Sequence, residues 1–261
     1  MTIRVGIGGW IYEPWRQTFY PKGLPQKREL EYAASKLTAI EINGTYYGSQ
    51  KPESFARWHD ETPDGFIFAV KGPRFATNRR VLAEAADSID KFFESGVLKL
   101  KDKLGPVNWQ FMATKKFDAG DFGAFLELLP KKLDGRTIRH VVEVRHDSFL
   151  NKDFISLCRA HEVAIVAAGD SEFPLVADVT APFVYVRLMG TQAKEPAGYS
   201  KSAIKGWLAR AKSWAAGGAP QDLKLLDKMP PAKKRDVFLF VISGAKEKNP
   251  AAAMALLKEL G

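Results

Sequence analysis

A chain of 261 residues with 46% hydrophobic content has enough apolar surface for a sizeable core, and its single cysteine, Cys158, excludes an internal disulfide. Four histidines and that cysteine show no metal-ligand spacing, and no segment approaches the roughly 20 apolar residues needed to span a bilayer. The net charge of +9 favours anionic partners such as phosphates, carboxylates or nucleic acid, although the basic residues are spread out, with the densest patches at Lys99–Lys103, Lys131-Lys132 and Lys233-Lys234-Arg235.

The chain opens directly on a strand pattern, Met1-Thr2-Ile3-Arg4-Val5, rather than a signal peptide, so a soluble cytoplasmic protein with no membrane partner is expected. Strands are predicted at Ile3–Gly8, Ala39–Ile42, Phe66–Val70, Val107–Phe111, Arg139–Val144, Val163–Ala167, Phe183–Leu188 and Val237–Ile242. Most are near-continuous apolar runs, which suits parallel strands covered on both faces. Helical periodicity falls between them. Leu30, Ala33, Ala34 and Leu37 form one stripe, and Phe122, Phe125, Leu126 and Leu129 a second. Phe154, Leu157, Cys158 and His161 form a third, and Ile204, Trp207, Leu208 and Ala211 a fourth. Pro52 suits a first helical position, Asn151 and Ser200 suit N-caps, and Asn249-Pro250 opens the last helix. Ser171–Ala181 lacks helical periodicity, which predicts one helix missing or reduced to a turn. Gly217–Arg235, broken by Gly217-Gly218, Pro220 and Pro230-Pro231, reads as an irregular excursion.

Eight strands alternating with helices over this length predict an α/β fold: a single (β/α)8 TIM-type barrel spanning residues 1–261. An open doubly wound sheet is the alternative. The Gly6-x-Gly8-Gly9 run after the first strand is not the G-x-G-x-x-G that opens a dinucleotide-binding helix, and no P-loop is present, so nothing points to a nucleotide cofactor. The cofactor is otherwise unknown. A divalent metal stays open, because carboxylate ligands carry no readable spacing here.

In such a barrel the site lies where the strands end at their C-terminal edge. The strand ends supply Trp10 and Tyr12, then Glu41, Asn43 and Tyr46, then Lys71 and Arg74. The later strands supply Glu143, Arg145 and His146, then Asp170, then Arg187. Glu143 and Arg145, two apart, face the same side of their strand, and Val142 and Val144 face the helices. Glu41 and Glu143 could divide general acid and base work, or could be buried ion-pair acceptors for Arg145, Arg187 or Lys71. Lys71, Arg74, Arg145 and Arg187 would give the rim a positive field suited to an anion, and a desolvated Lys71 could be a Schiff-base nucleophile. His146 is the best histidine for proton transfer, with loop capping as the plain alternative. His161 reads as packed core, and His59 and His140 as exposed or structural. Asp170 could accept a ligand hydroxyl or cap the following turn. Trp10, Tyr12 and Tyr46, with Trp15 and Tyr47, could wall a sugar or base, or simply pack.

These residues sit in longer ordered runs. They include Gly8-Gly9-Trp10-Ile11-Tyr12 with Trp15-Arg16, and Phe19-Tyr20-Pro21-Lys22-Gly23-Leu24-Pro25. Further runs are Glu41-Ile42-Asn43-Gly44-Thr45-Tyr46-Tyr47, Phe66-Ile67-Phe68-Ala69-Val70-Lys71 and Leu104-Gly105-Pro106. Val142-Glu143-Val144-Arg145-His146 and Tyr185-Val186-Arg187-Leu188 complete the set. The chain thereby resembles the DUF72 or YecE-like family, whose members are TIM-barrel-type proteins of uncharacterised biochemical function. The resemblance covers nearly the whole chain and implies the fold rather than a reaction. Three positions depart from the family pattern. Met189 follows Arg187-Leu188 where a histidine is common, Gln110-Phe111-Met112-Ala113 replaces Gln-Leu-Pro-Pro, and Ile242-Ser243-Gly244 replaces an Asn/Asp-rich end. They imply a divergent member, altered in specificity or deprived of an activity.

Three functional readings result. The first is an enzyme doing acid–base chemistry on a small anionic, phosphorylated or carboxylated, sugar-like substrate. The second is a nucleic-acid-binding or repair-type protein, suggested by net charge and rim aromatics. The third is a non-catalytic ligand-binding barrel. Substrate and oligomeric state are not encoded legibly.

Overall fold

Apolar runs that must be buried on both faces find their partners in one another. A computed structural model describes residues 2–261, and in it eight strands pair in parallel around a closed barrel. They are β1 (Ile3–Gly8), β2 (Ala39–Ile42), β3 (Ile67–Lys71), β4 (Leu104–Gln110), β5 (His140–Glu143), β6 (Ala164–Gly169), β7 (Phe183–Leu188) and β8 (Asp236–Val241). Each pairs with its neighbour in sequence, and β1 closes the ring on β8, with Val5 opposite Leu239. Helices α1 (Glu29–Lys36), α2 (Pro52–Asp60), α3 (Ala86–Glu94), α4 (Ala119–Glu127), α5 (Lys152–Ala160), α6 (Lys201–Ala215) and α7 (Asn249–Leu260) lie between them. No helix among the described residues is long and apolar enough to cross a membrane.

The expected boundaries hold to within one or two residues except at β4. That strand starts three residues before the predicted Val107, running through Leu104-Gly105-Pro106. A proline near the start of a strand forfeits little of the ladder, and a register shift against β3 between Phe68 and Val70 takes up the irregularity. The caps behave as their chemistry predicts. Asn151 accepts the Phe154 N–H at 2.9 Å, Ser200 accepts the Ala203 N–H at 3.2 Å, and Pro52 stands in the first turn of α2. Helix α3, with Ile89, Phe92 and Phe93 buried, lies in a stretch where no helix was predicted. Between β6 and β7 there is no helix, as the missing periodicity predicted; an antiparallel bridge from Ala167 to Leu175 takes its place.

Alternation along the strands sorts the core into two clusters. Side chains facing the helices, including Val5, Ile40, Val70, Val142, Val186 and Leu239, form the larger one, to which Cys158 belongs. The inward set, including Ala39, Ala69, Val141, Val166, Tyr185, Phe238 and Phe240, fills the barrel. The inward positions nearest the C-terminal rim depart from this apolar rule. Glu41, Lys71, Asn108, Gln110, Glu143 and Arg187 are all buried there.

Candidate functional site at the barrel mouth

The floor of the mouth is an ion cluster built from four strands. Arg187 of β7 donates to Glu41 of β2 at 3.0 Å and to Glu143 of β5 at 2.5 Å. Glu41 takes a second hydrogen bond, 2.6 Å, from the Tyr185 hydroxyl two residues before Arg187 on the same face. Glu143 is saturated: Arg145 donates to Oε1 through Nε at 2.8 Å and Nη2 at 2.6 Å, while Asn108 of β4 donates to Oε2 at 3.3 Å. The parity that puts Glu143 and Arg145 on one side of β5 is therefore realised as a direct contact.

Electrostatics follow from this crowding. Burial alone would push the Glu143 carboxyl up, but Arg187, Lys71 and Arg145 together outweigh it and hold the carboxyl at about 2. Burial would strip the Arg187 charge, yet its two carboxylates keep the guanidinium more basic than usual. Burial and the neighbouring Glu41 carboxylate push the Tyr185 hydroxyl well up. Lys71 at the end of β3 goes the other way. Desolvation lowers its ammonium to about 8, and Arg187 adds to the effect against the pull of Glu143 and Glu41. Its Nζ donates to Gln110 Oε1 and lies 5.2 Å from the centre of the Tyr46 ring.

Above Lys71 the mouth opens into a cavity of about 500 Å³. Its wall comes from the β1, β2 and β8 ends: Trp10 and Ile11, then Asn43, Tyr46, Tyr47 and Gln50, then Ile242 and Lys246. Local chemistry explains why the β1 end can line it. Gly9 turns the chain at φ +72°, and a Cβ at Gly8 would lie 2.9 Å from Asn43 Nδ2. The glycines read as a failed dinucleotide loop thus serve a close approach of β1 to β2. A second groove of about 660 Å³, lined by Gln26, Lys27, Arg57 and Glu61, adjoins the cavity across Trp10 and Trp58.

Of the sequence-predicted residues, Trp10, Asn43, Tyr46 and Lys71 line this cavity, and Glu41, Glu143, Arg145 and Arg187 form the ion cluster beside Lys71 without lining the cavity themselves. Four others lie apart from the cavity wall. Tyr12 packs edge-on to Trp15 at 5.3 Å and carries Lys246 Nζ over its ring at 4.4 Å. Arg74 is exposed, within 6.0 Å of the Tyr47 ring centre and 5.5 Å of Phe75. His146 caps the turn after β5, its Nδ1 accepting the Ser148 N–H at 3.1 Å. Asp170, at φ +53°, is exposed and accepts the Trp207 indole N–H at 2.7 Å.

Lys246, Gln50 and Trp58 escaped sequence reasoning. Lys246 stands four residues past the predicted last strand, at the rim, and its position there was a usable signal. Gln50 and Trp58 carried none. The remaining histidines are structural or peripheral. His140 is buried, accepts the Trp109 indole N–H at 3.1 Å and is pushed down to about 4 by burial. His59 sits between Asp60 and Asp102. His161 is half-buried at the end of α5 rather than fully packed. Among the described residues no group of three or more His, Cys, Asp or Glu side chains is placed to hold a metal ion.

Comparison with known proteins bears on the whole chain. The UPF0759 protein YecE of Escherichia coli strain K12 is 29% identical over 153 residues, 58% of this chain and 51% of that protein. UPF0759 protein YunF of Bacillus subtilis strain 168 is 25% identical over 114 residues, 42% and 39% of the two chains. These matches thus span about half, or less, of the curated relatives' length. A DUF72 family protein from Thermotoga maritima MSB8 superposes with a TM-score of 0.76 at 20% identity, over 100% of this chain and 99% of that one. Another from Enterococcus faecalis V583 gives 0.71 at 18% identity, over 99% and 97%. The family model described as "Protein of unknown function DUF72" matches residues 4–261, and the chain belongs to that family.

Proposed function

We propose that the protein is an enzyme whose mouth cavity takes a small anionic, sugar-like compound, with Lys71 as the group that meets its reactive end. One observation carries this reading. Lys71 is 7% exposed, opens on the cavity, and makes no ion pair among the described residues, because Arg187 and Arg145 already occupy the two nearby carboxylates. Three cations against two carboxylates leave the floor with an excess positive charge that an anion would complement. The cavity wall adds Lys246 as a second cation. It also combines the amides of Asn43 and Gln50 with the faces of Trp10 and Tyr46, a mixture that suits a hydroxylated ring.

This arrangement redistributes the roles expected of the carboxylates. A general acid or base works best with a pKa near the operating pH. Glu143, at about 2 and fully hydrogen-bonded, suits proton transfer poorly and serves better as a fixed counter-charge. Lys71, at about 8, is the group on the floor best matched to moving a proton near neutrality.

A thermal-shift screen of phosphorylated and carboxylated sugars tests the proposal. A ligand at 100 times its Kd stabilises by about 2.7 kcal/mol. A shift with such a compound that disappears in Lys71→Met supports it. A shift given only by oligonucleotides, and fading as salt rises, replaces it with the nucleic-acid reading.

A further inference from the structure

Lys71 is built unlike a structural buried lysine. Lys103, which is also buried, spends its ammonium on two backbone carbonyls, those of His59 at 2.6 Å and Thr62 at 2.5 Å, and lines no cavity described above. Lys71 instead has a single neutral acceptor, the Gln110 side chain, and one aromatic face, Tyr46. Its backbone is fixed, since Thr45 donates to the Lys71 carbonyl at 2.7 Å. The result is an amine on a rigid strand end, held by groups that tolerate either of its protonation states, with its open side toward a cavity large enough for a small metabolite.

We infer that Lys71 forms an imine with the carbonyl carbon of an anionic aldehyde or ketone bound in the mouth cavity. The inference rests on the anion-site reading above and goes past it, from binding to covalent chemistry. The neutral amine's lone pair attacks the carbonyl carbon, forming a C–N bond while the carbonyl π pair moves to oxygen. One proton passes from nitrogen to that oxygen to give the carbinolamine. Loss of the second N–H proton and cleavage of the C–O bond then release water and leave C=N. Carbonyl compound and amine are consumed, imine and water are formed, and no redox partner is required. Lys246, on the cavity wall, would hold the anionic group. An ammonium lowered to about 8 supplies the neutral amine. At pH 7.5 roughly a quarter of it is unprotonated, against ~0.1% for an ordinary lysine.

Reductive trapping tests this on the full chain. The protein is incubated with glyoxylate, a small anionic aldehyde, in the presence of cyanoborohydride, and separately with pyridoxal 5′-phosphate followed by borohydride. The modified lysines are then located by peptide mass mapping. The expected result is modification at Lys71 exceeding that at any other lysine by about tenfold or more, given its larger neutral fraction. Its rate should climb with a midpoint near pH 8. If Lys71→Met fails to fold, the pH profile of labelling in the wild-type protein still decides the matter. Even labelling across surface lysines, or a Lys71 rate that keeps rising past pH 10 as for a free lysine, overturns the imine. Thermal stabilisation by these aldehydes or by inorganic phosphate without trapping at Lys71 also overturns it, while leaving the anion site standing. Neither stabilisation nor trapping removes both.

Discussion

The two sides of the barrel mouth carry the same residue types and have opposite characters. On the β5–β7 side three of the candidate groups are answered by other parts of the chain. Glu143 is held by Arg145, Arg187 and Asn108, Asp170 by Trp207, and His146 by Ser148. On the β1–β3 side Lys71 has a neutral partner, and it shares an open cavity with Asn43, Tyr46 and Lys246. One side is therefore scaffold, whose charges are spent on one another, although Arg187 Nε and Asn108 Oδ1 are buried there with no hydrogen-bond partner. The other is where a ligand would find groups still able to gain an interaction. Binding energy is available only from the second kind, since displacing an existing buried ion pair costs about what it returns.

The largest effect that could break this comparison is at its hinge. Arg187 is the guanidinium shared by Glu41 and Glu143, and replacing it by Met leaves two buried carboxylates short of a counter-charge. Denaturant unfolding should show a loss on the order of 3–5 kcal/mol at neutral pH. A loss below about 1 kcal/mol would mean that the cluster relaxes into water and that the scaffold side is not preformed.

Next in size is an acid effect. The Glu143 carboxyl lies near 2 when folded, below its ordinary 4.5. On acidification the unfolded chain takes up this proton first. The stability that Glu143 contributes is thus complete above about pH 5 and drains away toward pH 2, by about 3 kcal/mol in all. Glu143→Gln should flatten that part of the stability–pH curve. An unchanged curve in the variant would assign the acid sensitivity elsewhere.

What the sequence disclosed follows the same division. Strand bounds at β1, β2 and β7 could be read directly, because buried parallel strands announce themselves as apolar runs, and the absent helix after β6 showed as absent periodicity. Parity put Glu143 beside Arg145. The identical argument joins Tyr185 to Arg187, since both lie on one face of β7. Helix α3 was obscured by the short helical turns that precede it, Arg74–Thr77 and Leu82–Ala85. Which side of the mouth is open was beyond reach. That depends on partners 144 and 146 positions apart, Glu41 with Tyr185 and Arg187, whose distances only the closed barrel sets. His146 and Asp170 look as reactive as Lys71 when written in a line; local capping geometry, decided by a serine two residues on and a tryptophan 37 residues away, separates them.

A smaller effect has an informative sign. Lys71 lies near 8 when folded, below its ordinary 10.5, so the unfolded chain binds the extra proton between those values and the fold gains stability as pH rises through them. At pH 7 the buried ammonium is a cost. Lys71→Met removes it and gives up the hydrogen bond to Gln110, the contact with the Tyr46 ring and the attraction to Glu143 and Glu41, so the variant should be more stable by about 1–2 kcal/mol while losing the ligand-dependent thermal shift. A structural lysine would show the reverse, with its removal lowering stability at every pH.

The smallest effect is expected at His146, and it tests the scaffold side from within. Its imidazole Nδ1 meets only the Ser148 N–H and hydroxyl in a three-residue turn, so His146→Ala should cost about 1 kcal/mol, typical for losing a cap. The ligand-induced shift should be unchanged, because the side chain does not line the cavity wall. Were His146→Ala to abolish that shift with the fold intact, the β5–β7 side would have to join the site. The division between a self-satisfied half and a receptive half would then fail at the residue where the two are hardest to tell apart by type.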